Sequence, residues 1–286
     1  MNPSATIRLF LPFGDPKKIR TAEISNWSGK AIAAPRTDLD LLLPREELSK
    51  PGIYFLLGVD ALDGRPMAYI GEAETVSSRI KQHKSKEFWS SVIVFVSKDD
   101  NLTKAHIRYL EGRLIDGANK IGRSKVENFQ SSGARLPESD QHEMEVFLER
   151  ITQLLPILGS EILTPILQID PQINRSETLI CLKKGARATG MRVPNGFVVF
   201  AGSTAIIQDR ESAKVHGQWI LDLRERLKLE KSLVELEGFY KFTRDVEFSS
   251  PSAAAGVIFG GNAPGPIAWK NADGITLKEL DEVTFA

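Results

Sequence analysis

Apolar and polar positions along this chain fall into short runs of β-forming residues separated by helical stripes, and the clearest of them lie in its first half. Gly52-Ile53-Tyr54-Phe55-Leu56-Leu57 and Met67-Ala68-Tyr69-Ile70 are apolar runs divided by the turn formers Asp60, Asp63 and Gly64, which predicts a β-hairpin. Gly71 ends the second strand, and Thr75 can cap a helix whose apolar side begins with Val76 and Ile80. At about 100° per residue, Arg79 and His83 fall on the edge of that side, half buried and aimed across the hairpin. Ser91 to Ser97 is too continuously apolar to have a solvated face, so it reads as a central strand. Thr103 can cap a second helix with Ile107, Leu110 and Leu114 as its inward stripe, Glu111 beside the stripe, and Lys104 and Arg108 on the same flank.

The flanking segments are less regular. Residues 5–34 carry two strand-like runs, Thr6 to Phe10 and Thr21 to Ile24, around the turn-rich Phe13-Gly14-Asp15-Pro16, predicting either an additional small sheet or an extension of the first. Trp27 reads as buried packing in preference to a base-stacking platform. Residues 38–48 form a short helical connection. Ser139 is placed to cap an amphipathic helix bearing Met144, Phe147, Leu148, Ile151, Leu154 and Leu155 and closed by Pro156, a stripe that must pack on the preceding core or on a second protomer. Prolines and polar residues from Ser160 to Arg175 mark a linker. Beyond it, Leu179 to Leu182, the strand-like run from Gly196 to Gly202, a helix with Trp219, Ile220, Leu223 and Leu227, a Ser250-Pro251 helix start and a strand over Pro266-Ile267-Ala268-Trp269-Lys270 predict a further α+β module.

The candidate chemistry sits in the first of these patterns. Two tyrosines on consecutive strands, with an arginine and a histidine on the following helix, are tools for handling phosphate. A carboxylate at the margin of an apolar stripe loses hydration and needs compensation. For Glu111 that compensation is a neighbouring arginine, Arg108 or Arg113, contact with water, or a divalent metal held against a phosphate.

Gly52-Ile53-Tyr54, Tyr69-Ile70-Gly71, Arg79 and Glu111, in that order, resemble the signature of the GIY-YIG nuclease superfamily, and His83 stands where some members carry a histidine one turn after the arginine. The segment between Tyr54 and Tyr69 is longer than the commonest family spacing, which implies a larger hairpin turn. Of two candidates for the family's later asparagine, Asn119 and Asn128, the second is preferred because it ends a connecting segment. The chain as a whole looks like bacterial GIY-YIG proteins with a β-rich N-terminal extension and a C-terminal domain of unknown function. Asn26-Trp27-Ser28-Gly29, Ala34-Pro35-Arg36, Gly196 to Ser203 and Ser249 to Ala255 carry this wider resemblance.

The resemblance implies an α+β architecture. Its parts are a β-rich extension over 1–49, a nuclease domain over 50–129 built on a small, mainly antiparallel three-stranded sheet flanked by helices, a connector with the amphipathic helix over 130–177, and an α+β C-terminal domain over 178–286. It implies an endonuclease that hydrolyses DNA phosphodiesters. Glu111 would bind Mg²⁺ or Mn²⁺, Arg79 would brace phosphate oxygens, Tyr54 or His83 would act as base and Tyr69 would orient water or phosphate, with Gly52, Gly71 and Asn128 in support. The C-terminal domain would select substrate or partner. The alternatives are a non-catalytic nucleic-acid or protein adaptor on the same fold, or action on RNA or single strands.

Composition narrows the setting. Lys plus Arg and Asp plus Glu number 37 each, so any attraction to nucleic acid, including single-stranded or branched DNA, must come from a local patch. Lys81, Lys84, Lys86, Lys104 and Arg108 supply one around the two helices, joined by Lys120, Arg123 and Lys125. Lys183, Lys184, Arg187 and Arg192 form a second cluster at the start of the C-terminal module. Cys181 is the only cysteine, which excludes an intrachain disulfide and a cysteine-built zinc site and fits a reducing cytoplasm. The N-terminal residues lack a signal-peptide pattern and no run approaches membrane-spanning length, so a membrane role is not expected, while a homodimer through helix 139–155 is one way to cover its apolar stripe.

Overall fold

The computed structural model describes residues 4–61, 64–128, 134–165, 178–194, 196–211, 213 and 217–284. Asp63 of the hairpin turn, the start of the polar connector at 130–133 and the linker from 166 onward lie outside the described residues. The chain is α+β and divides into two compact units, residues 1–165 and 166–286.

The first unit is built on one seven-stranded sheet in the order β1-β2-β3-β6-β4-β5-β7. Its strands are β1 (Ile7–Phe10), β2 (Arg20–Ile24), β3 (Gly29–Pro35), β4 (Gly52–Val59), β5 (Pro66–Ala73), β6 (Trp89–Ser97) and β7 (Lys125–Val126). All pairings are antiparallel except β5 with β7. The three-stranded sheet expected from the sequence is therefore the β6-β4-β5 part of a larger one, and the N-terminal strands extend it. The physical reason lies in β6, which has a second edge to satisfy and whose bulky Ile93 and Phe95 find room opposite Ala33 and Ala31 of β3.

Alternation along β4 and β6 sends side chains into two apolar layers, so both strands are covered on both faces. On one face Ile53, Phe55, Ile70, Ile93 and Phe95 pack against α3 (Lys104–Ile121) and α4 (Glu138–Ile157). On the other, Tyr54, Leu56, Val92 and Val94 pack with α1 (Leu39–Leu42) and α2 (Val76–Gln82). Each large side chain so enclosed contributes about 1.5–3 kcal/mol of burial. The stripe Met144, Phe147, Ile151, Leu154 and Leu155 of α4 belongs to the first layer, so the chain's own sheet covers it and it no longer calls for a second copy. Trp27 also packs there, its ring 4.9 Å from that of Phe147.

Helix ends follow the sequence in part. Thr103 caps α3 by accepting from the His106 N–H at its side-chain oxygen, its own N–H donating in return to Nδ1 of His106, and Gly122 closes the helix in the left-handed conformation at φ 72°. Thr75 occupies the cap position of α2 without a side-chain hydrogen bond, and α4 starts at Glu138, one residue ahead of the expected cap at Ser139. The helix also runs one residue past Pro156, because a proline in the last turn removes only one hydrogen bond.

The second unit contains a five-stranded antiparallel sheet ordered β14-β10-β9-β8-β15 and a three-stranded one ordered β11-β13-β12. The strands are β8 (Leu179–Lys183), β9 (Ala186–Val193), β10 (Gly196–Val199), β11 (Thr204–Ile206), β12 (Leu233–Leu236), β13 (Phe239–Phe242), β14 (Val246–Phe248) and β15 (Trp269–Lys270). The helices are α5 (Gln218–Leu229), α6 (Pro251–Phe259), α7 (Gly265–Ala268) and α8 (Leu277–Thr284), so of the strand expected over Pro266 to Lys270 only Trp269 and Lys270 are extended, Pro266 being suited to a first helical turn. Ser250 caps α6, and every residue of that helix from Ala253 to Phe259 is buried. Ile220 and Leu227 of α5 face the core as expected, but Trp219 faces outward and is half exposed, being one position off the buried stripe. Cys181 is fully buried, and burial pushes its thiol up to about 12, far from a reactive thiolate. No helix among the described residues is long and apolar enough to cross a membrane.

Candidate active site

The β4-β5 hairpin sets Tyr54 opposite Gly71 and Leu56 opposite Tyr69, so both tyrosines point to the α2 face of the sheet. Gly71 is required there. A Cβ at that position would stand 2.3 Å from the Tyr54 hydroxyl, so only glycine lets the phenol lie across the neighbouring strand. Gly52 answers a similar crowding, since its Cβ would meet the Phe95 carbonyl at 2.5 Å.

Tyr54 is fully buried, and its hydroxyl lies 2.9 Å from Nε2 of His83, at the end of α2. The Tyr69 ring completes the group, with centroids 6.0 Å from Tyr54 and 4.7 Å from His83. Burial, followed by the neighbouring Tyr69, pushes the Tyr54 phenol well above its usual range, and the nearby Arg79 guanidinium offsets only part of this. Burial and the cations Arg79 and Lys86 push the His83 imidazole down, with Glu127 pulling weakly the other way. A phenol that keeps its proton beside a neutral imidazole is the donor of the pair, and Nε2 is the acceptor.

Long-range contacts fix His83 in place. The Trp89 indole N–H donates to the His83 carbonyl at 3.2 Å. Arg36 donates to the carbonyls of Lys84 at 2.7 Å, Lys86 at 2.6 Å and Trp89 at 3.2 Å, while its guanidinium sits 4.5 Å from the Trp89 ring centroid. Arg36 thus pins the turn after α2 from fifty residues away.

Glu111 reaches the site around the outer edge of β5. The short β7 pairs only with Met67 and Ala68, leaving the backbone of residues 70–72 without a strand partner on that side. Asn128 takes the place of a strand at Ile70, its Oδ1 accepting from the Ile70 N–H at 3.2 Å and its Nδ2 donating to the Ile70 carbonyl. Two residues on, Glu111 Oε1 accepts from the Glu72 N–H at 3.2 Å. Burial, and next the Glu72 carboxylate, raise the Glu111 pKa above the usual carboxylate range, against the opposing pull of that N–H bond, Arg79 and Arg108.

Arg79 is exposed, donates from Nη1 of its guanidinium to Gln82 at 2.8 Å, and lines an open cleft of about 420 Å³ together with Glu72, Thr75, Ser78 and Lys104. Of the basic residues expected to meet nucleic acid, Lys81 and Lys84 are exposed and Arg108 is half-buried. Lys86 pairs with Glu127 at 2.6 Å and lies over the Tyr69 ring, and Lys104 pairs with Glu74 at 3.0 Å and Glu72 at 3.8 Å. The charge of these last two is already shared with carboxylates.

Three residues at the site went unremarked in the sequence pattern: Glu72, Glu127 and, as a clamp, Arg36. Glu72 left a signal, since it shares a strand face with the buried Ala68 and Ile70, where an acid is out of place. Among the described residues, no group of three or more His, Cys, Asp or Glu side chains is arranged to hold a metal ion.

Residues 179–281, most of the second unit, match a family described as a domain of unknown function, DUF4357. Neither a curated protein nor a solved structure matches the chain.

Proposed function

We propose that this protein is a metal-dependent phosphodiesterase of GIY-YIG type that cuts DNA, with its C-terminal unit selecting the substrate or partner. One observation carries the reading: the Tyr54-His83 pair, Tyr69 and Arg79 gather on one side of the free edge of β5, and Glu111 is held at that same edge by a backbone N–H. Glu111 fits a cation-binding role, being desolvated, close to a second carboxylate and without a dedicated cationic partner of its own among the described residues. Glu111 would hold Mg²⁺ or Mn²⁺ with water and substrate phosphate completing the shell, as hard cations of this size commonly do. The cation would supply Lewis-acid stabilisation of the phosphoryl oxygens and of the leaving 3′-oxygen.

The protein's own groups supply the rest. Arg79, permanently charged and open to the cleft, braces the non-bridging oxygens. Tyr54 alone is a poor base, because its phenol is held above its usual range. The hydrogen bond to His83 removes that obstacle: as the attacking water gives its proton to the Tyr54 oxygen, the Tyr54 proton passes to Nε2 of His83. Tyr69 orients the water or phosphate at the open end.

The test is incubation of purified protein with supercoiled and linear duplex DNA, single-stranded DNA and RNA, with and without Mg²⁺ or Mn²⁺. Cleavage of duplex DNA that chelator abolishes is expected. Cutting confined to single strands or RNA would move the substrate, and no metal-dependent cutting of any substrate would refute the reading.

The relay also fixes a pH profile. His83 faces Tyr54 and Tyr69, the cations Arg79 and Lys86 and the carboxylate Glu127, and the net effect holds its imidazole low. It must be neutral to accept a proton, so the rate is expected to rise with pH through a limb below the ordinary imidazole value of about 6.5 and to stay flat through neutrality. His83→Gln should remove that limb and cost roughly 10²–10⁴ in rate. A wild-type rate that instead climbs steadily toward pH 10 would assign the base to an unassisted phenol.

A further inference from the structure

Glu72 follows the Tyr69-Ile70-Gly71 run, and nothing in the proposed chemistry uses its side chain. Its backbone N–H holds Glu111, and strand alternation turns its carboxylate to the same α3 face of β5 from which Glu111 arrives. That carboxylate is only 17% exposed, and its Oε2 is buried with no hydrogen-bond partner. Its other oxygen stands 3.8 Å from Lys104 Nζ, which lies closer to Glu74 at 3.0 Å. A buried carboxylate oxygen that has lost its water and gained no donor is a cost to the fold, retained where something else satisfies it.

We propose that Glu72 is the second carboxylate ligand of the divalent cation held at Glu111, an inference that rests on the phosphodiesterase reading above. Two carboxylates at the edge of an open cleft, the rest of the shell being water and substrate phosphate, is a donor set suited to Mg²⁺ or Mn²⁺. Glu72 and Glu111 would together hold the cation, whose charge would offset that of the two carboxylates. Lys104, 3.8 Å from Oε1 of Glu72, would compete with the ion for that oxygen.

The test is Mn²⁺ binding to the full-length protein, measured by calorimetry and by the loss of free-ion paramagnetic resonance signal, for wild type, Glu72→Gln, Glu111→Gln and Lys104→Met, with circular dichroism on each. Both glutamine variants are expected to weaken Mn²⁺ binding by at least about tenfold, and Lys104→Met to tighten it. If Glu111→Gln loses Mn²⁺ while Glu72→Gln keeps wild-type affinity, Glu72 is not a ligand and the phosphodiesterase reading survives. If Mn²⁺ binds equally well without either carboxylate, the cation site and that reading fall together. Should Glu72→Gln misfold, the lysine variant decides: unchanged affinity there means that Glu72 does not meet the ion.

Discussion

Glu111→Gln and Arg79→Ala are each expected to lower metal-dependent cleavage by at least about a hundredfold, the usual cost of removing one group that stabilises charge developing in the transition state. Neither should unfold the protein. The glutamine amide oxygen can still accept from the Glu72 N–H, so the edge of β5 stays closed at that point. It also removes a desolvated charge from beside a second carboxylate, so the melting temperature is expected to hold or rise while activity falls. Arg79 is exposed, and its side chain bonds Gln82 on the same helix turn and the phenols of Tyr54 and Tyr69, so its removal leaves α2 anchored by the buried Val76 and Ile80. Loss of activity accompanied by a lower melting temperature in both variants would mean that these groups hold the fold together.

The largest effect on stability is expected in the second unit, at Arg224. Its side chain is 1% exposed and donates to the carbonyls of Val257 at 3.0 Å, Ile206 at 2.6 Å and Ile207 at 3.0 Å, with Asp209 at 3.3 Å and the Tyr240 ring centroid at 5.1 Å. The Val257 carbonyl is one of the last four of α6, which have no partner within the helix, so the guanidinium caps α6 while tying it to α5 and the end of β11. Arg224→Met would match the stem but orphan three carbonyls, and a loss of roughly 3–5 kcal/mol is expected. Lysine should recover little of it, since an ammonium cannot span three acceptors as the planar fork does. Hydrogen exchange on the full chain checks this: protection should fall across residues 204–259 and stay at wild-type levels in β4, β5 and β6.

Much of the first unit was legible because its signals are local. The hairpin, the central position of β6 and the inward stripes of α3 and α4 each follow from apolar spacing within a dozen or so residues. What was not legible depended on partners distant in sequence. Nothing in residues 20–35 says that their strands join β6 in place of forming a sheet of their own; that choice comes from the unpaired edge of β6, sixty residues on. Arg36 as a clamp on the turn after α2 was hidden for the same reason. At the site, Tyr54, Tyr69, Arg79, His83 and Glu111 stood out by pattern and resemblance, whereas Glu72, just beyond the Tyr69-Ile70-Gly71 run, went unremarked although its place on a buried strand face marked it. The pairing of Tyr54 with His83, which turns a question about two candidate bases into a relay, needed the 2.9 Å contact between strand and helix end.

The most direct measurement is single-turnover cleavage of an end-labelled DNA duplex by wild-type protein and Glu111→Gln, side by side in Mn²⁺. Wild type is expected to cut, leaving a 3′-hydroxyl, and the variant to cut at least about a hundredfold more slowly with a melting temperature no lower than wild type. Equal cutting by the two, or none by wild type, would contradict the assignment of phosphodiester chemistry to the edge of β5.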